Sequence, residues 1–143
     1  MNKLTKQILL ATCLSLALTT INAQTETKPH RVVFEVTMEG TEQWAAVLNN
    51  VENLQKSLGQ KTEIEVVAHS KGLGLLVAEA NPLAERMKKI SETGVVFAAC
   101  ENTMKKKNVT KEQLVPFATT TDSGVAEVVR RQEAGWSYIK SGI

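Results

Sequence analysis

One stretch of the chain indicates the fold class: GVVFAACENT, at residues 94–103. Its first half is a continuous apolar run at residues 95–99, as expected of a strand buried on both faces of a parallel sheet. The residues from Glu101 to Lys107 follow at once and favour a short helix. Cys100 lies at the junction. A strand that leads directly into a helix is the repeating unit of α/β proteins.

The same alternation continues on both sides of this stretch. Strands are predicted at residues 32–36, 62–68, 95–99, 115–119 and 136–140. Helices are predicted at residues 44–58, 81–93, 101–107 and 122–134, with a capping-box turn at 110–113 and a loop at 69–74. In the last helix, Val125, Ala126, Val128 and Val129 are expected to face inward. The sequence therefore predicts an α/β three-layer sandwich, with a mostly parallel, about five-stranded sheet of flavodoxin-like topology.

The N-terminus has the pattern of a secretory signal peptide. Lys3 and Lys6 precede an apolar run at residues 8–18, and a small residue, Ala23, closes the segment. The run is shorter than the roughly 20 residues that a membrane span needs. We expect cleavage near Ala23 and a periplasmic or secreted protein without stable membrane insertion. The alternatives are an uncleaved anchor and, from a loose lipobox ending at Cys13, a lipoprotein signal. Residues 24–30 form a polar leader, and residues 31–143 form one domain.

The charge of the remaining chain is balanced. Removing residues 1–23 takes two lysines from the 17 basic residues and leaves all 15 acidic residues. A formally neutral domain gives no general field for binding nucleic acid, so we expect no such partner. The one dense basic run, at residues 105–107, is interpreted as a solvated helix end, with a binding patch as the alternative.

Cys100 is the single cysteine that remains once Cys13 leaves with the signal peptide. At a strand-to-helix junction, the free N–H groups of the helix would stabilise a thiolate, which is the reactive form. Glu101 would oppose this if its carboxylate lay close. The residues alone leave two interpretations open: a reactive thiol, or a small buried residue that continues the strand.

Other kinds of site are poorly supported by the sequence. After signal cleavage the chain has one cysteine and two histidines, too few ligands for a zinc site. We predict neither a metal nor a cofactor. The glycines at 72 and 74 complete neither a dinucleotide fingerprint nor a P-loop. His69 also follows a predicted strand directly, so its loop and that of Cys100 could share a crevice. A Cys–His hydrolase is conceivable, but a third orienting residue is not identifiable.

Three segments resemble the DsrE/DsrF-like family. They are FAACENTM at residues 97–104, LVP at 114–116 and SGVAEVVRRQEAGWSYIK at 123–140. The match is closest to the branch of small YchN-like proteins of unassigned role. The loop from His69 to Leu73 is similar to the histidine–glycine loop of that branch, although Ser70 stands where the resemblance leads one to expect glycine.

The resemblance implies a domain that assembles as a homo- or hetero-oligomer, often a trimer or hexamer, and we expect a homo-oligomer. It also implies a thiol partner protein and a role in sulfur relay. The position that matches the family's persulfide cysteine is Cys100, and His69 would be auxiliary. We therefore expect a sulfur (persulfide) carrier or thiol-redox protein acting through Cys100. The alternative is a non-catalytic oligomeric binding or structural module with a buried cysteine.

Overall fold

The structure is a computed structural model that describes residues 28–141 of the 143-residue chain. The predicted signal peptide at residues 1–23 lies outside the described residues, as do residues 24–27 of the predicted leader. Within the described part, we find no helix that is both long enough and apolar enough to cross a membrane.

Five strands and four α-helices alternate along residues 28–141. The strands are β1 (Arg31–Val36), β2 (Glu63–Ala68), β3 (Val96–Cys100), β4 (Thr119–Thr121) and β5 (Ser137–Ser141). The helices are α1 (Thr41–Leu58), α2 (Ala84–Ser91), α3 (Glu101–Lys107) and α4 (Gly124–Glu133). Two 3₁₀ segments, Ser70–Leu76 and Lys111–Gln113, lie in the connections.

The strands form one sheet in the order β4-β3-β2-β1-β5, and every neighbouring pair is parallel. Helices cover both faces, which confirms the predicted three-layer α/β fold with a five-stranded sheet. The strand order differs from the 2-1-3-4-5 order of flavodoxin itself, while the doubly wound arrangement is kept.

The side chains of each strand alternate between two unequal layers. The larger layer lies under α1, α2 and α3 and holds most of the buried apolar residues, among them Phe34, Val66, Phe97, Leu48 and Met87. Among the described helices, α4 alone covers the smaller layer, which buries Val33, Val67, Ala98 and Val128, with Trp136 packed against them. We call these the three-helix face and the α4 face.

The structure corrects four local predictions. The fourth strand covers Thr119–Thr121 rather than residues 115–119, because Val115 is bonded to the Leu76 carbonyl and is buried in the core instead. In α4, Val125 and Val129 are exposed, and of the four residues predicted to face inward only Val128 is buried, since α4 is the single helix on this face in the described part of the chain. The predicted loop after His69 is mostly 3₁₀ helix, and α2 covers Ala84–Ser91 rather than residues 81–93.

Candidate functional site

Cys100 lies where the connections of two adjacent strands diverge. β3 leads into α3, which packs on the three-helix face through Met104, whereas its neighbour β4 leads into α4 on the opposite face. In an open parallel sheet, such a switch point leaves a crevice at the carboxyl ends of the strands, and ligands bind there. Cys100 is the last residue of β3, paired with Thr121.

The Cys100 sulfur is close to the N-termini of both helices. Burial raises the pKa of the thiol, but the Thr103 hydroxyl and the backbone N–H groups of Gly124, Thr103 and Asn102 hydrogen-bond to it. These bonds outweigh burial, so the pKa of Cys100 lies below its ordinary value. The residue is only 4% exposed. The site therefore combines a stabilised thiolate with near-exclusion of water.

Glu101 has partners of its own. Its carboxylate accepts a hydrogen bond of 2.7 Å from the Thr120 hydroxyl and lies 3.6 Å from the Lys111 ammonium. The pKa of Cys100 is lowered with Glu101 in place, so the hydrogen bonds to the sulfur prevail over any opposition from this carboxylate.

His69 belongs to a polar chain that starts at the edge strand β5. The Tyr138 hydroxyl donates to Glu35 Oε2, and Glu35 Oε1 lies 2.8 Å from Nε2 of His69. On the other side of the ring, Nδ1 lies 3.0 Å from Ser70 Oγ. Burial raises the pKa of Glu35, but the bonds from Tyr138 and His69 outweigh it and leave the pKa lowered. An ionised Glu35 accepts the Nε2 proton.

Two contacts join this chain to the Cys100 site. The Ser70 N–H donates to Thr103 Oγ1 at 3.1 Å, which leaves the Thr103 proton free for the sulfur. Gly124, whose N–H bonds the sulfur, also lies against His69: a Cβ at this position would come within 2.9 Å of the His69 Cβ and 3.0 Å of its Cδ2. Gly124 thus allows the close approach of α4 to both residues.

The structure brings both predicted site residues, His69 and Cys100, to the same edge of the sheet. Ala68 and Ala99 are register partners, and each site residue follows one of them. Both ring nitrogens of His69 are bonded, one to Glu35 and one to Ser70. The Cys–His hydrolase would need a bond between the ring and the sulfur, and the ring has no nitrogen left for it.

Other parts of the described chain offer little further chemistry. Residues 28–141 contain no group of three or more His, Cys, Asp or Glu side chains that could hold a metal ion. A surface cavity of about 510 Å³ is lined mainly by apolar residues, including Ala84, Val115 and Phe117. Neither Cys100 nor His69 lines that cavity.

Sequence reasoning missed four contributors to the site: Glu35, Thr103, Gly124 and Tyr138. Glu35 is the one acidic residue in the apolar strand RVVFEV, and Thr103 occupies the third position of the helix that Cys100 caps. The position of each of these two residues in its strand or helix could have indicated that it belongs to the site. Gly124 and Tyr138 lie more than twenty residues beyond Cys100, so tertiary packing alone places them at the site.

Two solved structures of proteins of unknown function resemble this chain. A protein of unknown function from Methanobacterium thermoautotrophicum, MTH1491, has a similar structure, with a TM-score of 0.74 and 32% identity. That match covers 78% of this chain and 98% of the other. A protein of unknown function from Bacteroides thetaiotaomicron, BT1422, shares the fold at a TM-score of 0.63 and 11% identity, over 77% and 93% of the two chains.

No curated protein matches the chain. The model of the DsrE/DsrF-like family, a family generally related to sulfur relay, matches residues 12–141. The chain belongs to the DsrE/DsrF-like family.

Proposed function

We propose that this protein is a sulfur carrier in which Cys100 holds sulfane sulfur as a persulfide. The observation that carries the proposal is the position of the sulfur, which accepts hydrogen bonds from the Thr103 hydroxyl and from the N-termini of α3 and α4. A thiolate stabilised in this way is the nucleophile that sulfur transfer needs.

The proposed reaction has two steps. The Cys100 thiolate attacks the outer sulfur of a donor R–S–SH; a bond to Cys100 forms, the donor's S–S bond breaks, and RS⁻ leaves with the electron pair. An acceptor thiolate then attacks the outer sulfur of Cys100–S–SH and releases the Cys100 thiolate. Low exposure of Cys100 would protect the persulfide from water and from unrelated thiols.

Intact mass spectrometry tests this proposal. The chain should carry Cys13→Ser, so that Cys100 is its single thiol whether or not the leader is removed. After incubation with inorganic polysulfide, we expect the mass of one added sulfur, which dithiothreitol removes. The matched control, the same chain with Cys100→Ser, should gain nothing. If native Cys100 takes up no sulfur and also resists an alkylating reagent, the carrier function is wrong.

A second candidate is a non-catalytic module with a buried cysteine, favoured by the 4% exposure of Cys100. The same experiment separates the two functions. If the protein is such a module, Cys100 should react with polysulfide or an alkylating reagent only after unfolding. If it is a carrier, Cys100 should react in the native protein.

We also propose that the protein is exported and forms a homo-oligomer, with a thiol protein as its partner in relay. The N-terminal pattern at residues 1–23 supports export. Apolar exposure on the α4 face supports assembly, since Val125 is 58% and Val129 46% exposed. Cell fractionation tests the location. A native mass measurement on wild type and Val125→Asp tests the assembly.

A further inference from the structure

Ser70 has a backbone conformation that serine rarely adopts. Its φ is 55°, in the left-handed region where a residue with a Cβ is strained and glycine is not. A strained residue of this kind is maintained by the surrounding structure and is found most often at functional sites.

The hydroxyl of Ser70 is aligned for proton transfer. Because Glu35 accepts the Nε2 proton of His69 at 2.8 Å, the second imidazole nitrogen, Nδ1, is the one that exchanges a proton with Ser70 Oγ at 3.0 Å. Glu35 is itself fixed by the Tyr138 hydroxyl. His69 is buried, whereas Ser70 is exposed. Ser70 is thus the point where this buried chain meets solvent.

Ser70 also lies beside the Cys100 site. Its backbone N–H is bonded to the Thr103 hydroxyl at 3.1 Å, and that hydroxyl is bonded to the Cys100 sulfur. A donor molecule whose outer sulfur is attacked by Cys100 places its other sulfur outside the buried site, on the exposed side. Ser70 is the exposed residue that is bonded to this site.

We propose that Ser70 donates the proton that the leaving thiolate takes up when Cys100 attacks a sulfur donor, with His69 and Glu35 as positioning residues. This inference rests on the proposed function. As RS⁻ leaves, it takes the proton of Ser70 Oγ, and Ser70 takes the Nδ1 proton from the protonated form of His69, whose Nε2 is paired with Glu35. The ring regains this proton from solvent through the exposed Ser70, and the Cys100 thiol releases its own proton to solvent on ionisation. The sum is Cys100–SH plus R–S–SH giving Cys100–S–SH plus RSH.

The test compares leaving groups of different acidity. An acidic thiol leaves readily as the thiolate, whereas a weakly acidic thiol leaves slowly and gains most from protonation. The probes are 2,2′-dipyridyl disulfide, which releases an acidic aromatic thiol, and hydroxyethyl disulfide, which releases a weakly acidic alkyl thiol. The rate of Cys100 modification is followed by intact mass in the chain with Cys13→Ser.

Ser70→Gly is the informative variant, because it removes the hydroxyl and also relieves the strained φ. We expect its rate with dipyridyl disulfide to stay within about twofold of wild type. With hydroxyethyl disulfide we expect a loss of at least about tenfold, at the low end of general acid catalysis. Its thermal midpoint should equal or exceed that of wild type. His69→Asn should show the same selective loss.

Thr103→Val is the matched control, since it acts on the attacking thiolate and should slow both probes by a similar factor. If Ser70→Gly slows both probes equally, or neither, Ser70 is not the proton donor. The outcome is separate from that of the carrier function. If Ser70→Gly shows the selective loss while the chain with native Ser70 gains no sulfur from polysulfide, the proton donor stands and the carrier function is wrong.

Discussion

The face of the sheet under α1, α2 and α3 is closed by apolar packing, whereas the α4 face carries charged and polar side chains among its few buried residues. Phe34, Val66 and Phe97 on the first face have apolar neighbours from several helices. On the second face, the same strands present other side chains, because neighbouring residues of a strand point in opposite directions. These are Glu35, Glu65 and Cys100, with His69 just beyond β2.

The two faces of this small sheet therefore have different roles. The three-helix face supplies the buried apolar area from which most of the folding free energy comes. The α4 face places ionisable groups under a single helix, where each is held by a specific partner. This division of roles predicts different effects for variants on the two faces.

Phe97→Ala should cost the most stability. Phe97 is fully buried on the three-helix face and packs edge to face with Phe117, with ring centroids 5.9 Å apart. Truncating a buried phenylalanine costs about 3–5 kcal/mol of the free energy of unfolding, which urea unfolding would measure. Val129→Ala is the control on the α4 face; its side chain is 46% exposed, so we expect a change below about 1 kcal/mol. Equal losses in both variants would contradict the division.

Arg131→Met should destabilise the α4 face at neutral pH by about 3 kcal/mol, because it leaves the buried Glu65 without its ion-pair partner. Arg131 also pairs with Glu127 at 2.8 Å and stacks over the Trp136 ring. The pKa of Glu65 is raised, chiefly by burial, which outweighs the attraction of Arg131.

The sign of the pH effect follows from that raised pKa. A carboxyl whose folded pKa lies above its unfolded value gains folding stability as the pH falls from above the folded value toward 4.5. The penalty of Arg131→Met should therefore shrink between pH 7 and pH 5 in urea unfolding. Adding Glu65→Gln should recover most of the loss. A double variant as unstable as the single one would show that the uncompensated charge is not the cause.

Tyr138 offers a direct titration of the polar chain on the α4 face. Burial, followed by its hydrogen bond to the Glu35 carboxylate, raises the pKa of Tyr138 to about 12. It is the single tyrosine of the chain, so absorbance of the phenolate reports it alone. We expect a midpoint near that value in wild type, and a shift toward the ordinary 10.0 in Glu35→Gln. A wild-type midpoint at the ordinary value of 10.0 would show that Tyr138 does not donate a hydrogen bond to the Glu35 carboxylate.

Thr103→Val should raise the pKa of the Cys100 thiol, since it removes the side chain that contributes most to stabilising the thiolate. Losing one hydrogen bond to a charged group corresponds to about a tenfold slower alkylation by iodoacetamide at neutral pH. The midpoint of the pH profile of the alkylation rate should move to higher pH. Thr103→Ser, which keeps the hydroxyl, should restore it. An unchanged Cys100 pKa in Thr103→Val would show that Thr103 does not stabilise the thiolate.

Much of the fold was predictable because local patterns agree with the tertiary structure. The apolar runs and helical stripes indicated β1, β2, β3, β5 and α1 within a residue or a few at each end. The fourth strand was misplaced because its apolar predecessors fill the core beside Leu76 rather than the sheet. The inward set of α4 was too large because periodicity cannot reveal that only one helix covers that face.

By itself, the sequence determined that a cysteine would stand where a buried strand turns into a helix, since composition and periodicity act over a few residues. Only the tertiary structure decided what surrounds that cysteine. The N–H of Gly124 and the chain from Tyr138 through Glu35 to His69 reach the site across the parallel sheet. Sheet register and crossover direction place these residues, and both depend on contacts between distant parts of the chain.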